Sequence, residues 1–318
     1  MYNHFKRNNC MMKRVFVDGS AGTTGLRIVE RLSDRKDIDW IRLPESLRKD
    51  PAARKEALNA ADIVFLCLPD AAAVEAVSLL ENDQTVVIDT STAHRVHSDW
   101  TYGFPEVGGR RTQIARSRRI ANPGCHASGF IALIAPLVEN GLLSAQAKLS
   151  CYSLTGYSGG GKKMITQYED AQREPLLDAP RMYGLGQSHK HLPEMAAICG
   201  LEQLPIFCPV VAPYYAGMEV TVPLFADDVR GSAEDICALY GAYYSEGLVH
   251  FEPESDEEGF LSAGAMCGRD DMQITVSGNA QRILLTARFD NLGKGASGAA
   301  IQNMNLVLGL PEATGLCI

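Results

Sequence analysis

Of the nine cysteines in the chain, Cys125 has the setting that best suits a nucleophile. Arg118 to Ala121 reads as the end of a strand, Asn122-Pro123-Gly124 breaks the chain, and the apolar run Phe130 to Ala135 reads as a helix. Cys125 is thereby expected at or near a helix N-terminus. There, unpaired backbone N–H groups and the positive end of the macrodipole favour thiolate over thiol. Pro123 fixes φ ahead of the helix, and Gly124 lets backbone approach a ligand closely. A thiolate so placed can attack a carbonyl carbon while nearby N–H groups take up the oxyanion charge. The competing reading is a buried structural cysteine in an ordinary strand–helix turn.

Ser188-His189-Lys190-His191-Leu192-Pro193-Glu194 sets two imidazoles two residues apart, ahead of a proline-started helix. A general acid/base reaching Cys125 is the expected role of His189 or His191. If the segment is extended, only one ring can face the cysteine, because alternate side chains point to opposite faces. A metal pair is the alternative, but no third ligand stands at typical spacing, so no metal is expected. Two features offer anion sites. Arg95 follows Asp89 to His94, beyond the carboxyl end of a strand. Ser158-Gly159-Gly160-Gly161-Lys162-Lys163 joins a flexible loop to two cations, with Ser158 and Lys162 as candidate contacts. Each is otherwise an ordinary surface feature.

The elements that must position these residues follow from the pattern of apolar runs. Arg14 to Asp18 reads as a buried strand that enters Gly19-Ser20-Ala21-Gly22-Thr23-Thr24-Gly25 and then a helix, Leu26 to Leu32. Strand, glycine-rich turn and helix form the context of a dinucleotide-phosphate loop, here spaced G-x-x-G-x-x-G. After a second strand, Asp39 to Leu43, stand Arg42, Glu45, Ser46, Arg48 and Lys49. Arg42, Ser46 and Arg48 suit a 2′-phosphate, hence NADP over NAD; a solvated charged loop is the alternative. Strands Ala61 to Pro69 and Thr85 to Asp89, with a helix over 71–80 between them, complete a βαβαβ alternation. The fold class is therefore α/β, a Rossmann-type doubly wound parallel sheet.

Beyond the Cys125 helix the texture changes to an α+β domain with a mostly antiparallel sheet. Its expected strands are 147–153, 207–212, 218–225, 272–277 and 282–289, with a hairpin at Gly278-Asn279 and a helix over 232–246. The acidic run Glu252 to Glu258 reads as a solvated loop. The domains are expected at 14–122, completed by a C-terminal helix in 295–318, and at 123–294. Residues 1–13 read as a loose leader.

Composition narrows the function classes. The 318 residues carry a net charge of −8, which argues against broad nucleic-acid or membrane binding. Any anionic ligand must then be held by particular cations or backbone N–H groups. The cysteines are scattered singly with no C-x-x-C pair, which points to a reducing compartment without disulfides. The longest apolar run, from Phe130, is broken at Pro136 and is too short to span a membrane.

Four segments together resemble the N-acetyl-gamma-glutamyl-phosphate reductases, in particular their shorter variety. They are Asp18 to Gly25, Asn122-Pro123-Gly124-Cys125, His189 to Glu194, and Asn291-Leu292-Gly293-Lys294-Gly295-Ala296-Ser297-Gly298. They fall in the family's order and cover the chain from about residue 14. The resemblance implies a cytoplasmic enzyme of arginine biosynthesis that reduces N-acetyl-5-glutamyl phosphate to the semialdehyde with NADPH. It implies a homo-oligomer, dimer or tetramer, built through the second domain. It also makes Cys125 the nucleophile, places the acid/base among His189 and His191, and adds Asn291 to the cofactor-binding residues. His126-Ala127-Ser128 departs from the aromatic and Pro-Thr that many members carry. Aspartate-semialdehyde dehydrogenase and phosphorylating glyceraldehyde-phosphate dehydrogenase share the same chemical logic. A catalytically silent dinucleotide-binding redox sensor is a different class, one that would need neither an acid/base nor an anion clamp.

Overall fold

The alternating strands and helices of the first third of the chain close into a parallel sheet. In the computed structural model, which describes residues 12–318, this part runs β1 (Lys13–Asp18), α1 (Thr23–Ser33), β2 (Ile38–Ile41), α2 (Pro51–Ala60) and β3 (Ile63–Leu66). It continues with α3 (Asp70–Ser78), β4 (Val86–Asp89), β5 (Thr101–Tyr102), α4 (Arg111–Arg116) and β6 (Arg119–Ala121). The sheet order is β2-β1-β3-β4-β6-β5, with every pairing parallel. Every residue of β3 and β4 is buried, as required when helices cover both faces. Strand order reverses between β1 and β3, which opens the crevice where such sheets bind ligands. Residues 1–11 of the expected leader lie outside the described residues. Lys13, also counted in that leader, already belongs to β1.

α5 (Cys125–Glu139) leads into the second half. There follow β7 (Ser150–Gly156), α6 (Gly161–Glu169), β8 (Arg181–Met182), α7 (Leu192–Cys199) and β9 (Ile206–Ala212). Next come β10 (Met218–Phe225), α8 (Ala233–Tyr243), β11 (Val249–Phe251), β12 (Met272–Gly278) and β13 (Arg282–Phe289). Their order, β11-β12-β13-β10-β7-β9-β8, contains four antiparallel and two parallel pairings. β7 starts later than expected because Ala147 closes a turn on Ser144.

α5 is the shared pillar: it is buried from His126 to Leu137 in the core beneath the second sheet. The apolar run is not broken at Pro136, which sits inside the helix. Proline has no N–H for the Ala132 carbonyl four residues earlier. Tyr244 supplies the missing donor, its hydroxyl 2.6 Å from the Ala132 oxygen, and the Tyr240 hydroxyl donates to the Leu133 carbonyl.

A π turn, Gly293–Ser297, introduces α9 (Gly298–Leu308). Ala300, Ile301 and Met304 of α9 pack with Val15, Ile28 and Ile120 of the first sheet's core. The acidic 252–258 segment is more than a solvated loop. Its Glu257 meets Arg288 of β13 at 2.6 Å, and that guanidinium is almost fully buried, so it requires a counter-charge.

Candidate active site

Cys125 is the first residue of α5, with Gly124 as its extended N-cap. The turn that presents it is tied down on several sides. Asn122 donates from its backbone to Asp89 and from its side chain to the Ala296 carbonyl, and its own carbonyl accepts from Arg95. The Gly124 N–H donates to Glu194 Oε1 at 2.8 Å. A Cβ on Gly124 would collide with Arg95 Nη1 and His191 Nε2, and one on Gly295 would sit 3.0 Å from the Cys125 Cβ. Both glycines therefore keep open the space around the thiol.

Glu194, fully buried in the first turn of α7, organises this corner. Oε1 accepts from the Gly124 N–H and from the Tyr102 hydroxyl at 2.6 Å, while Oε2 accepts from Arg95 Nη1 at 3.0 Å. Arg95 also donates to the carbonyls of Asn122 and Thr90. Three of its nitrogens are thus engaged by the protein, although it lines the cavity beside Cys125.

The expected low thiol pKa is not what this surrounding produces. Burial pushes the Cys125 thiol up, outweighing the pull of Arg95, the His126 N–H and Lys190, with Glu194 opposing them. The helix N-terminus alone does not overcome desolvation. Deprotonation of the thiol therefore calls for a base at hand.

Three imidazoles surround it. The His191 ring lies 5.6 Å from that of His126 and 4.8 Å from that of His189. The segment turns into α7 instead of running extended, so His189 and His191 both line the cavity. Burial holds His191 well below its usual pKa, assisted by the positive charge of Arg95, and lowers His189 in the same direction. His126 is held down at about 3, again by burial first. All three are neutral near pH 7. Among the described residues His191 Nδ1 is buried without a hydrogen-bond partner, and Nε2 faces the Gly124 backbone.

The glycine loop divides two cavities. One, about 450 Å³, is lined by Gly22, Thr23, Thr24 and Gly25 on one wall and by Cys125, His191 and Asn291 on the other. The second, about 600 Å³, is lined by Gly19, Ser20 and Ala21 together with Arg42, Ser46 and Arg48. Gly19 has φ +85°, and a Cβ there would strike the Cys67 carbonyl; a Cβ on Gly25 would strike the Gly19 carbonyl. The loop thus brings helix and strand into backbone contact. A dinucleotide laid across it would have one half in each cavity. In the second cavity the Arg42 guanidinium lies 3.8 Å from the Trp40 ring centroid, and Arg48 pairs with Glu45 at 2.6 Å.

Not every expected residue is brought to the cysteine. Ser158 is buried and accepts from Asn291 Nδ2 at 2.9 Å, while Asn291 Oδ1 accepts from the Gly217 N–H. Both line the first cavity with these contacts made. Lys162 is exposed and does not line either cavity; Lys190 is the lysine that lines the first. Glu194, Tyr102, Tyr183 and Arg54 were not singled out from the sequence. Glu194 had a signal, since it stands three residues after His191 at a helix start and so shares its face. Arg54, which binds the buried Asp18 carboxylate at 2.9 Å, had none.

Among the described residues no group of His, Cys, Asp and Glu is arranged to hold a metal ion, and no helix is long and apolar enough to cross a membrane. The family model of the semialdehyde dehydrogenase dimerisation domain matches residues 125–291, and that of the semialdehyde dehydrogenase NAD binding domain matches residues 44–116. Solved structures with the same fold include aspartate semialdehyde dehydrogenase II of Vibrio cholerae. It has a TM-score of 0.71 at 16% identity, over 94% of this chain and 98% of that one. The aspartate semialdehyde dehydrogenase of Francisella tularensis gives 0.69 at 15% identity, over 93% and 100%. Fold and matches define the class, an oxidoreductase of the semialdehyde dehydrogenase type. Within it, the chain belongs to the N-acetyl-gamma-glutamyl-phosphate reductase family. It is 46% identical to the proteins of that name from Brucella ovis and Brucella canis, over 94% of this chain and 100% of each of theirs.

Proposed function

We propose that the protein reduces N-acetyl-5-glutamyl phosphate to N-acetylglutamate 5-semialdehyde with NADPH, releasing phosphate, in arginine biosynthesis. The observation that carries this reading is a half-buried thiol at a helix N-terminus, beside neutral histidines and facing a dinucleotide loop across one cavity. His191 takes the Cys125 proton as sulfur attacks the acyl carbon, and the carbon–oxygen bond to phosphate breaks to leave a thioester on Cys125. The proton passes from His191 to the departing phosphate. When bound, NADPH supplies the hydride that turns the thioester into a thiohemiacetal anion. Its collapse re-forms the carbonyl and frees the Cys125 sulfur, which recovers a proton from solvent. His189, hydrogen-bonded through Nδ1 to the His191 N–H at 3.2 Å, orients that residue.

Gly19 to Gly25 cradle the pyrophosphate, Arg42, Ser46 and Arg48 favour the 2′-phosphate of NADP, and Asn291 adjoins the nicotinamide half. Arg95 and Ser158 border the acyl-phosphate site, with the exposed Lys190 as the cation in place of Lys162. The working units are 14–122 with 295–318, and 123–294. The enzyme is cytoplasmic and forms a homo-oligomer through the uncovered face of the second sheet. That face exposes Tyr152, Ile206, Phe225 and Leu284, a grouping suited to a second copy.

The test is phosphate-dependent NADP reduction with N-acetylglutamate semialdehyde, aspartate semialdehyde and glyceraldehyde 3-phosphate in parallel. Turnover dominated by the first, and requiring phosphate, is expected. Preference for either of the others, or turnover without phosphate, overturns the reading.

A further inference from the structure

His126, the residue after the nucleophile, joins two hydroxyls. Its ring is 3% exposed, with Nδ1 2.7 Å from Ser153 Oγ and Nε2 2.7 Å from Tyr183 Oη. Kept neutral by burial, the ring offers one N–H and one lone pair. Ser153 on β7 has no solvent exposure, and among the described residues its hydroxyl has no other hydrogen-bond partner. A buried O–H must donate, and the acceptor within reach is His126 Nδ1. The ring proton then resides on Nε2, which donates to Tyr183 Oη. Tyr183 thus spends an acceptor site on His126 and keeps its own O–H. No acceptor for that O–H occurs among the described residues, and Tyr183 lines the cavity with Cys125, His189 and His191. Burial, with Cys125 nearby, holds the Tyr183 hydroxyl well above its usual pKa, so it keeps its proton and has that O–H to donate.

We propose that the Tyr183 hydroxyl donates a hydrogen bond to an oxygen of the bound acyl substrate, and that His126, backed by Ser153, is the positioning residue that aims it. This inference rests on the reductase reading above. The contact adds to binding and needs no proton transfer, so its loss should raise the KM for the acyl phosphate and leave the KM for NADPH unchanged.

Four variants and the wild type test it. Tyr183→Phe and His126→Phe are each expected to raise the acyl-phosphate KM roughly three- to ten-fold. The double variant should cost no more than Tyr183→Phe alone, because one contact is removed twice. His126→Gln, which keeps an N–H near the Nε2 position, should recover most of the loss. On the wild type, long-range nitrogen–proton NMR should find His126 as the neutral Nε2–H tautomer from pH 8 to pH 5. An Nδ1–H tautomer, an imidazolium in that range, or a wild-type KM in Tyr183→Phe overturns the proposal. A wild type that does not turn over the acyl phosphate overturns the reductase reading, and the substrate contact with it. Normal wild-type turnover combined with an unaltered KM in Tyr183→Phe overturns the contact alone.

Discussion

The ion pair beside Cys125 and the ion pair near Arg42, on either side of the glycine loop, are held in opposite ways. Beside Cys125, the side chains of Arg95 and Glu194 are 8% and 1% exposed and tie together the nucleophile's turn, β5 and α7. Around Arg42, the Arg48 and Glu45 side chains of one ion pair are 41% and 82% exposed. A buried pair is costly to break from one side, because the remaining charge has no water to turn to. An exposed pair is screened and contributes little. The Arg95–Glu194 pair should accordingly bear on the chemistry, whereas the Arg48–Glu45 pair should only adjust affinity. Substitutions should therefore lose their force in going from Cys125 toward Arg48.

The largest effect belongs to Cys125→Ser. A hydroxyl in place of the thiol should lower kcat by several orders of magnitude while leaving the thermal midpoint within a few degrees of wild type. Retained activity in a folded Cys125→Ser protein would remove the covalent step.

His191→Asn should follow, with a loss of about 10²–10⁴-fold in kcat. The pH profile sharpens this. Because His191 is held well below 6.5, kcat/KM should show no acid limb centred at 6.5, and activity should decline only further down. Stability has a related dependence. Unfolded imidazoles take up protons near 6.5, while His126 in the fold does so only near 3. Between these values the unfolded chain binds more protons, so stability is full above 6.5 and falls as pH drops toward 3. A urea midpoint that rises on acidification over that range would contradict the buried neutral rings.

Arg95→Ala comes next. It strands the Glu194 carboxylate and should cost about 3–5 kcal/mol of stability by urea unfolding. It should also raise the acyl-phosphate KM by about ten- to a hundred-fold through loss of a charge-assisted contact. The smallest effect should be that of Arg48→Ala, a rise in the NADPH KM of less than about ten-fold that shrinks as salt is added. An Arg48→Ala effect larger than that of Arg95→Ala would reverse the contrast between the cavities.

Much of the frame could be read in the sequence, for reasons that differ by region. The parallel sheet announced itself through continuous apolar strands and a glycine loop whose sterics only glycine meets at Gly19 and Gly25. Cys125 could be placed because Asn-Pro-Gly ends one element and an apolar run begins the next. Its electrostatics could not. The thiol is shifted by Arg95, Lys190 and Glu194, which lie 30, 65 and 69 positions away and meet only in the fold. Local pattern also misjudged Pro136, because Tyr244 reaches in from a helix end 108 positions later to satisfy the freed carbonyl. Lys162 misled for the opposite reason: a cation next to a glycine loop is a local signal, but α6 turns it outward.

The covalent role of Cys125 can be tested most directly by trapping. Wild type is mixed with N-acetyl-5-glutamyl phosphate in the absence of NADPH, quenched in acid and mapped by peptide mass spectrometry, with Cys125→Ser in parallel. The predicted result is an N-acetylglutamyl adduct on the Cys125 peptide, accompanied by about one equivalent of released phosphate and absent from Cys125→Ser. Phosphate release with no adduct, or an adduct on another residue, would contradict it.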